Sequence, residues 1–188
     1  ETAGLHIKGD ELLVKAREAM IAAVQTFNGA GLHFRSELFI VTAVIAWTYL
    51  MHAYYKKEGV DYRYKKGGRV ELTPSGAEKY WELGQCLAHH RCPLDRGTVN
   101  NLKFLLEIRH EIEHRSTDRI DLALSSKLQA CCINFNDALK TLVGREFSIE
   151  KRLPVALQFA GFDGTQRAQL VGTSLPGHIQ LAMDTFDS

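Results

Sequence analysis

The sequence predicts a mainly α fold, a helical bundle that carries a small β-hairpin insertion. Three observations lead there. Apolar residues recur every three or four positions along most of the chain, capping residues and glycines punctuate those runs, and a short stretch, 61–72, alternates instead with period two. With 188 residues, 45% of them hydrophobic and 24% charged, the chain suits one core-forming domain. The expected division is a helical domain over 1–150 and a C-terminal extension over 151–188 that packs on the bundle.

The first helix opens after Asp10, a plausible N-cap, and carries Leu12, Leu13, Ala16, Met20, Ala23, Val24 and Phe27 before Asn28-Gly29 ends it. A second runs from about Arg35 to Lys57. It is apolar nearly all round, as the innermost helix of a bundle would be. Its Leu38–Tyr55 stretch has barely the length of a membrane span and includes Thr42, Thr48 and His52, so a buried helix is expected and no membrane.

Tyr62 and Tyr64 alternate with polar residues, Gly67-Gly68 supplies a turn, and Val70 and Leu72 alternate again, which predicts the hairpin. Thr73-Pro74 resembles an N-cap followed by proline at the first helical position, opening a helix to about His89. Asp95 then caps a helix with Val99, Leu102, Leu105, Leu106, Ile108 and Ile112. Asp118 caps another, with Ile120, Leu124, Leu128, Cys131, Phe135, Leu139 and Leu142 in one stripe, stopped by Gly144. Beyond Glu150, Leu153–Phe162 reads as a short strand and Pro176–Phe186 as a final short helix.

The formal net charge of +1 argues against a generally basic nucleic-acid coat, though phosphate contacts need only a few well-placed cations. Four cysteines, two of them adjacent (Cys131 and Cys132), are too few for a disulfide-stapled domain, so they are expected reduced, in a cytoplasmic protein without a signal peptide. Cys86, His89, His90 and Cys92 match no standard zinc knuckle spacing. Lys56, Lys57, Arg63, Lys65, Lys66 and Arg69, interleaved with the tyrosines at 54, 55, 62 and 64, suit either a solvated hairpin or contact with single-stranded RNA.

The chemistry concentrates in Arg109-His110-Glu111-Ile112-Glu113-His114. One reading is H-E-x-x-H, two histidines on one helix face binding Zn²⁺ with a glutamate as base. Against it stand the charge of Glu113 beside the second histidine and the lack of a third ligand better than Glu146, Glu150 or His178. The other reading is R-x4-H, Arg109 with His114. Twelve arginines and eight histidines would produce about half such a pair by chance, so the spacing alone is weak. The setting is more telling. Arg109 follows Leu102, Leu105 and Leu106 on an apolar face, where a charge needs a partner or a role.

Positions five apart on one helix point about 140° apart. Arg109 and His114 therefore grip one phosphate only if the helix loosens between them or a second copy completes the site. Together they suit metal-free RNA cleavage, with histidine moving the proton and arginine stabilising the phosphate charge. Arg115 and Arg119 either hold phosphate near the motif or cap and solvate the helix ends.

Around that motif, Ala16-Arg17-Glu18-Ala19 through Phe27-Asn28, Phe34-Arg35-Ser36-Glu37-Leu38-Phe39, Ala46-Trp47 and Glu107 through Arg115 resemble a prokaryotic family of unknown function related to the HEPN superfamily. The resemblance covers about residues 10–145, and more loosely Leu157-Gln158-Phe159 and Leu175-Pro176. It implies a HEPN-like helical bundle and a homodimer. It also implies metal-independent endoribonuclease activity without a cofactor, in phage defence or toxin–antitoxin systems, with an antitoxin or regulatory protein as candidate partner. By the R-x4-H motif it places the catalytic roles on Arg109 and His114. His110, taken with them as a candidate catalytic residue, stands where such proteins often carry Asn and keeps a hydrogen-bonding side chain. Three positions depart from the pattern: Thr48 and His52 replace an acidic residue and a lysine of the second helix, and Ser116 replaces a tyrosine that a partner enzyme modifies. The altered second helix also fits a HEPN-like module that binds RNA or protein without cleaving.

Overall fold

The computed structural model describes residues 11–29, 34–114 and 121–152, leaving aside the side chains of 112–114 and 121–123. The mainly helical class holds. α1 (Glu11–Asn28), α2 (Arg35–Lys57), α4 (Arg96–His114) and α5 (Asp121–Ala138) form the bundle, and α3 (Leu83–Ala88) is a short helix ahead of α4. α1 buries Leu13, Ala16, Met20, Ala23, Val24 and Phe27 of the predicted stripe, with Ile21 in addition, whereas Leu12 is only partly buried. Asp10, Asp118, Ile120 and everything after Arg152, including the expected strand and last helix, lie outside the described residues.

α2 is the central element and touches α1, α3, α4 and α5. Trp47, fully buried, meets Phe135 of α5 edge-on at 5.2 Å and donates from Nε1 to the Cys131 Sγ. Tyr55 Oη donates to the Cys86 carbonyl at 2.6 Å, tying α2 to α3. By length and mean hydropathy α2 would suffice to cross a bilayer, and its inward residues are enclosed by the other helices. The expectation of a helix buried all round needs correction, however. Phe34, just before α2, and Leu38, Val41 and Ile45 are exposed. Their spacing of four, three and four places them on one face.

The β insertion is larger than predicted. β1 (Lys65–Lys66) and β2 (Arg69–Val70) pair antiparallel around Gly67-Gly68, whose φ values of 58° and 76° suit the tight turn that two glycines allow. The predicted helix from Thr73 does not begin there. Thr73 Oγ1 accepts from the Ala77 N–H, Gly76 takes φ 84°, and the chain turns back to bridge Leu72 with Glu78 and Arg63 with Tyr80. The ladder bonds Thr73 N–H to Ala77 O and Lys79 N–H to Glu71 O satisfy this backbone in extended form. Helix starts only at Leu83.

Asp95 caps α4 as predicted: Oδ1 accepts from the Thr98 N–H at 3.0 Å and Oδ2 from the Thr98 hydroxyl at 2.8 Å. Asp95→Ala is expected to lower unfolding free energy by about 1 kcal/mol, read from denaturant midpoints. A change below about 0.3 kcal/mol would show that the cap is not stabilising α4.

α5 buries Leu124, Leu128, Cys131, Cys132 and Phe135. A π-helical turn, Leu139–Val143, follows it and ends at Gly144, whose φ of 149° is open chiefly to glycine. The last described turns are held by Asn136 Oδ1, which accepts from the Ser148 hydroxyl and the Ile149 N–H. All four cysteines are free.

Candidate active site

Arg109 lines a groove of about 480 Å³ between α2, α4 and the start of α3. Ile45, Thr48, Tyr49 and His52 of α2 form one wall, at spacings of three, one and three. Leu106 and Arg109 of α4 form the second, and Tyr80, Trp81 and Glu82 close the end. The volume lies within the range of small-ligand sites.

His52 is buried, with 7% exposure. Its Nε2 stands 2.7 Å from the Trp81 carbonyl oxygen, and Tyr62 stacks on its ring at 4.6 Å and 26°. Burial lowers its pKa below the ordinary value of 6.5, opposed by the carbonyl bond, so the ring is neutral at pH 7. The wall that carries Tyr80 is rigidly tied. Arg63 donates to both Asp61 oxygens and to Glu78 Oε1, while the Tyr80 hydroxyl donates to Glu78 Oε2. That hydroxyl bond raises the Tyr80 pKa. The Thr48 hydroxyl donates back to the Val44 carbonyl at 2.7 Å.

The predicted site residues separate. Arg109 is in the groove and half-buried; His110, next along α4, is exposed. α4 continues without a break to His114, so of the two alternatives a helix that loosens after Arg109 does not occur. Positions 109 and 114 stay about 140° apart around the axis. The His114 side chain, Arg115 and Arg119 lie outside what is described.

Lys65 and Lys66 sit exposed at the tip of the insertion, away from the groove lining, and Lys65 already pairs with Asp61 at 2.8 Å. Tyr55, expected among the stacking aromatics, is fully buried instead, and Lys79 lies over the Tyr64 ring at 5.0 Å. Near α3, the His89 and His90 rings are 4.3 Å apart. Burial pushes the Cys86 thiol up to about 12 and raises Cys92. Among the described residues no three His, Cys, Asp or Glu side chains gather as a metal site.

In the sequence Thr48 and His52 stand out as polar residues within an apolar helix and as departures from the family pattern, not as members of a site. They lie one turn apart on an otherwise apolar helix face, and that signal leads to the groove. Tyr80 carries no comparable mark, since its place depends on the unexpected turn at Gly76.

A family model described as a domain of unknown function (DUF3644) matches residues 11–188, across the expected boundary at 150. No curated protein and no solved structure matches the chain.

Proposed function

Since the chain belongs to this family, the domain of unknown function DUF3644, whose description supplies no activity, we propose from its own residues that it is a metal-independent endoribonuclease of HEPN type. It acts as a cytoplasmic homodimer in phage defence or a toxin–antitoxin system, where an antitoxin or regulatory protein would restrain it. The observation that carries the reading is Arg109, a cation on the seam of α2 and α4, lining a groove of ligand size.

A guanidinium there offers its fixed fork of donors to the non-bridging oxygens of a phosphate, where charge grows in the transition state. The ribose 2′-oxygen attacks phosphorus and the P–O5′ bond breaks. The products are a 2′,3′-cyclic phosphate and a 5′-hydroxyl. His114 gives the proton that O5′ needs, and His110, on the exposed side of α4, assists in holding the strand.

Because α4 is unbroken, His114 reaches the groove from a second copy. The apolar face of Phe34, Leu38, Val41 and Ile45 supports that arrangement, since Ile45 belongs both to the exposed stripe and to the groove wall. A neighbour seated on the stripe lies beside Arg109. The Thr42 hydroxyl, spent on the Leu38 carbonyl, leaves the face drier still.

The test is cleavage of single-stranded RNA by the purified protein with EDTA present, followed by end-group analysis. Cleavage that leaves 2′,3′-cyclic ends supports the reading, and loss of cleavage with EDTA would favour the zinc alternative. The hairpin makes a separate prediction. Lys66→Ala should reduce the salt slope of single-stranded RNA binding by about 0.7. Lys65→Ala should reduce it less, because Asp61 already neutralises that lysine. Unchanged slopes in both variants would remove the hairpin from the RNA path.

A further inference from the structure

On the unbroken α4, position 114 faces about 140° away from position 109. The groove holds another histidine. His52, one turn after Thr48 on the same side of α2, lines it together with Arg109. A carbonyl oxygen only accepts, so the 2.7 Å approach of Nε2 to the Trp81 oxygen puts the hydrogen on Nε2. In the neutral ring Nδ1 is then left with the lone pair. Nδ1 has no hydrogen-bond partner among the described residues. The Tyr62 ring stacked at 4.6 Å fixes the plane in which that lone pair lies. The other titratable or charged groups around it are Tyr49 on its own helix, Tyr80 from the insertion, Glu82 before α3 and Arg109 on α4.

We propose that His52 is the proton acceptor of this groove, taking through Nδ1 the 2′-hydroxyl proton of an RNA whose phosphate Arg109 holds. The assignment rests on the ribonuclease reading above. The proton leaves the 2′-oxygen as the O2′–P bond forms. His52 becomes an imidazolium, and the leaving O5′ receives its proton from His114 of the other copy. After product release His52 loses its proton to water and His114 of the other copy regains one from water, which restores both rings. Trp81 holds Nε2 throughout, so the tautomer that accepts is the one always presented.

His52→Gln separates this role from simple anchoring, since an amide can still donate to the Trp81 carbonyl but is no base. The variant is expected to keep its thermal midpoint and its affinity for uncleavable 2′-O-methyl RNA, while cleavage falls about 100-fold or more. The pH profile gives the second reading. Protonated His52 cannot accept, so wild-type kcat/KM falls as pH drops through the His52 pKa. Burial places that limb below the ordinary 6.5. The limb is expected to vanish in the variant.

Cleavage within about threefold of wild type, with the same acid limb, would overturn the assignment and leave His52 as an anchor for Trp81. Should His52→Gln fail to fold, NMR titration of His52 in the wild-type protein decides, because a pKa away from the acid limb also overturns it. A wild-type protein that cleaves no RNA sinks the ribonuclease reading itself and this role with it, a result distinct from cleavage that survives the substitution.

Discussion

Arg109→Ala and His114→Ala are each expected to reduce RNA cleavage by about 100- to 1,000-fold while the fold and the dimer persist. For Arg109 the structural cost is small. It is half-buried at the edge of a groove rather than enclosed in the core, and its neighbours Leu102, Leu105 and Ile108 supply the buried face of α4. Removing a transition-state contact lowers kcat and kcat/KM together, whereas removing a simple phosphate anchor raises KM alone. Arg109→Lys sharpens the comparison. It keeps the charge but loses the planar fork, so partial cleavage is expected, between wild type and alanine. The measurement is initial rate on a labelled single-stranded RNA, with circular dichroism and size-exclusion chromatography to confirm fold and assembly. If Arg109→Ala cleaves at the wild-type rate, the groove is not a nuclease site.

Much of the frame was legible because long helices announce themselves. The α2 limits at Arg35 and Lys57, the Asp95 cap and the stop at Gly144 follow from periodicity and end chemistry. What escaped was tertiary. Thr73-Pro74 has the form of a helix start, but Gly76 at positive φ and the ladder bonds to Glu71 and Thr73 make the same residues a turn. Local propensity could not register a partner strand it did not expect. Likewise the apolar residues of α2 are all alike in sequence. Only packing separates Trp47, with no exposure, from Ile45, with 44%. The site was half legible for a related reason. Arg109 stands out as a charge among leucines, whereas His52 belongs to the groove only because α2 and α4 pack side by side.

Mixing the two inactive variants is expected to restore what each has lost. In a site built from Arg109 of one copy and His114 of another, an Arg109→Ala chain paired with a His114→Ala chain has one site missing both groups and one site intact. Random exchange makes about half the dimers mixed, each with one working site of two, so cleavage should recover to about a quarter of wild type. From a starting level near or below 1% of wild type, that gain is hard to mistake. The geometric ground is the continuous helix through His114; the chemical ground is that neither residue alone both stabilises the charge on the phosphate and moves the proton. Subunit exchange is checked with differently tagged chains. If exchange is complete and cleavage stays at the level of the single variants, His114 does not act across the dimer. The proton chemistry then belongs within one subunit, where the groove offers His52 as the histidine beside Arg109. If the wild-type chain is monomeric at the concentrations where it cleaves, the same conclusion follows. The apolar face from Phe34 to Ile45 would then need another partner.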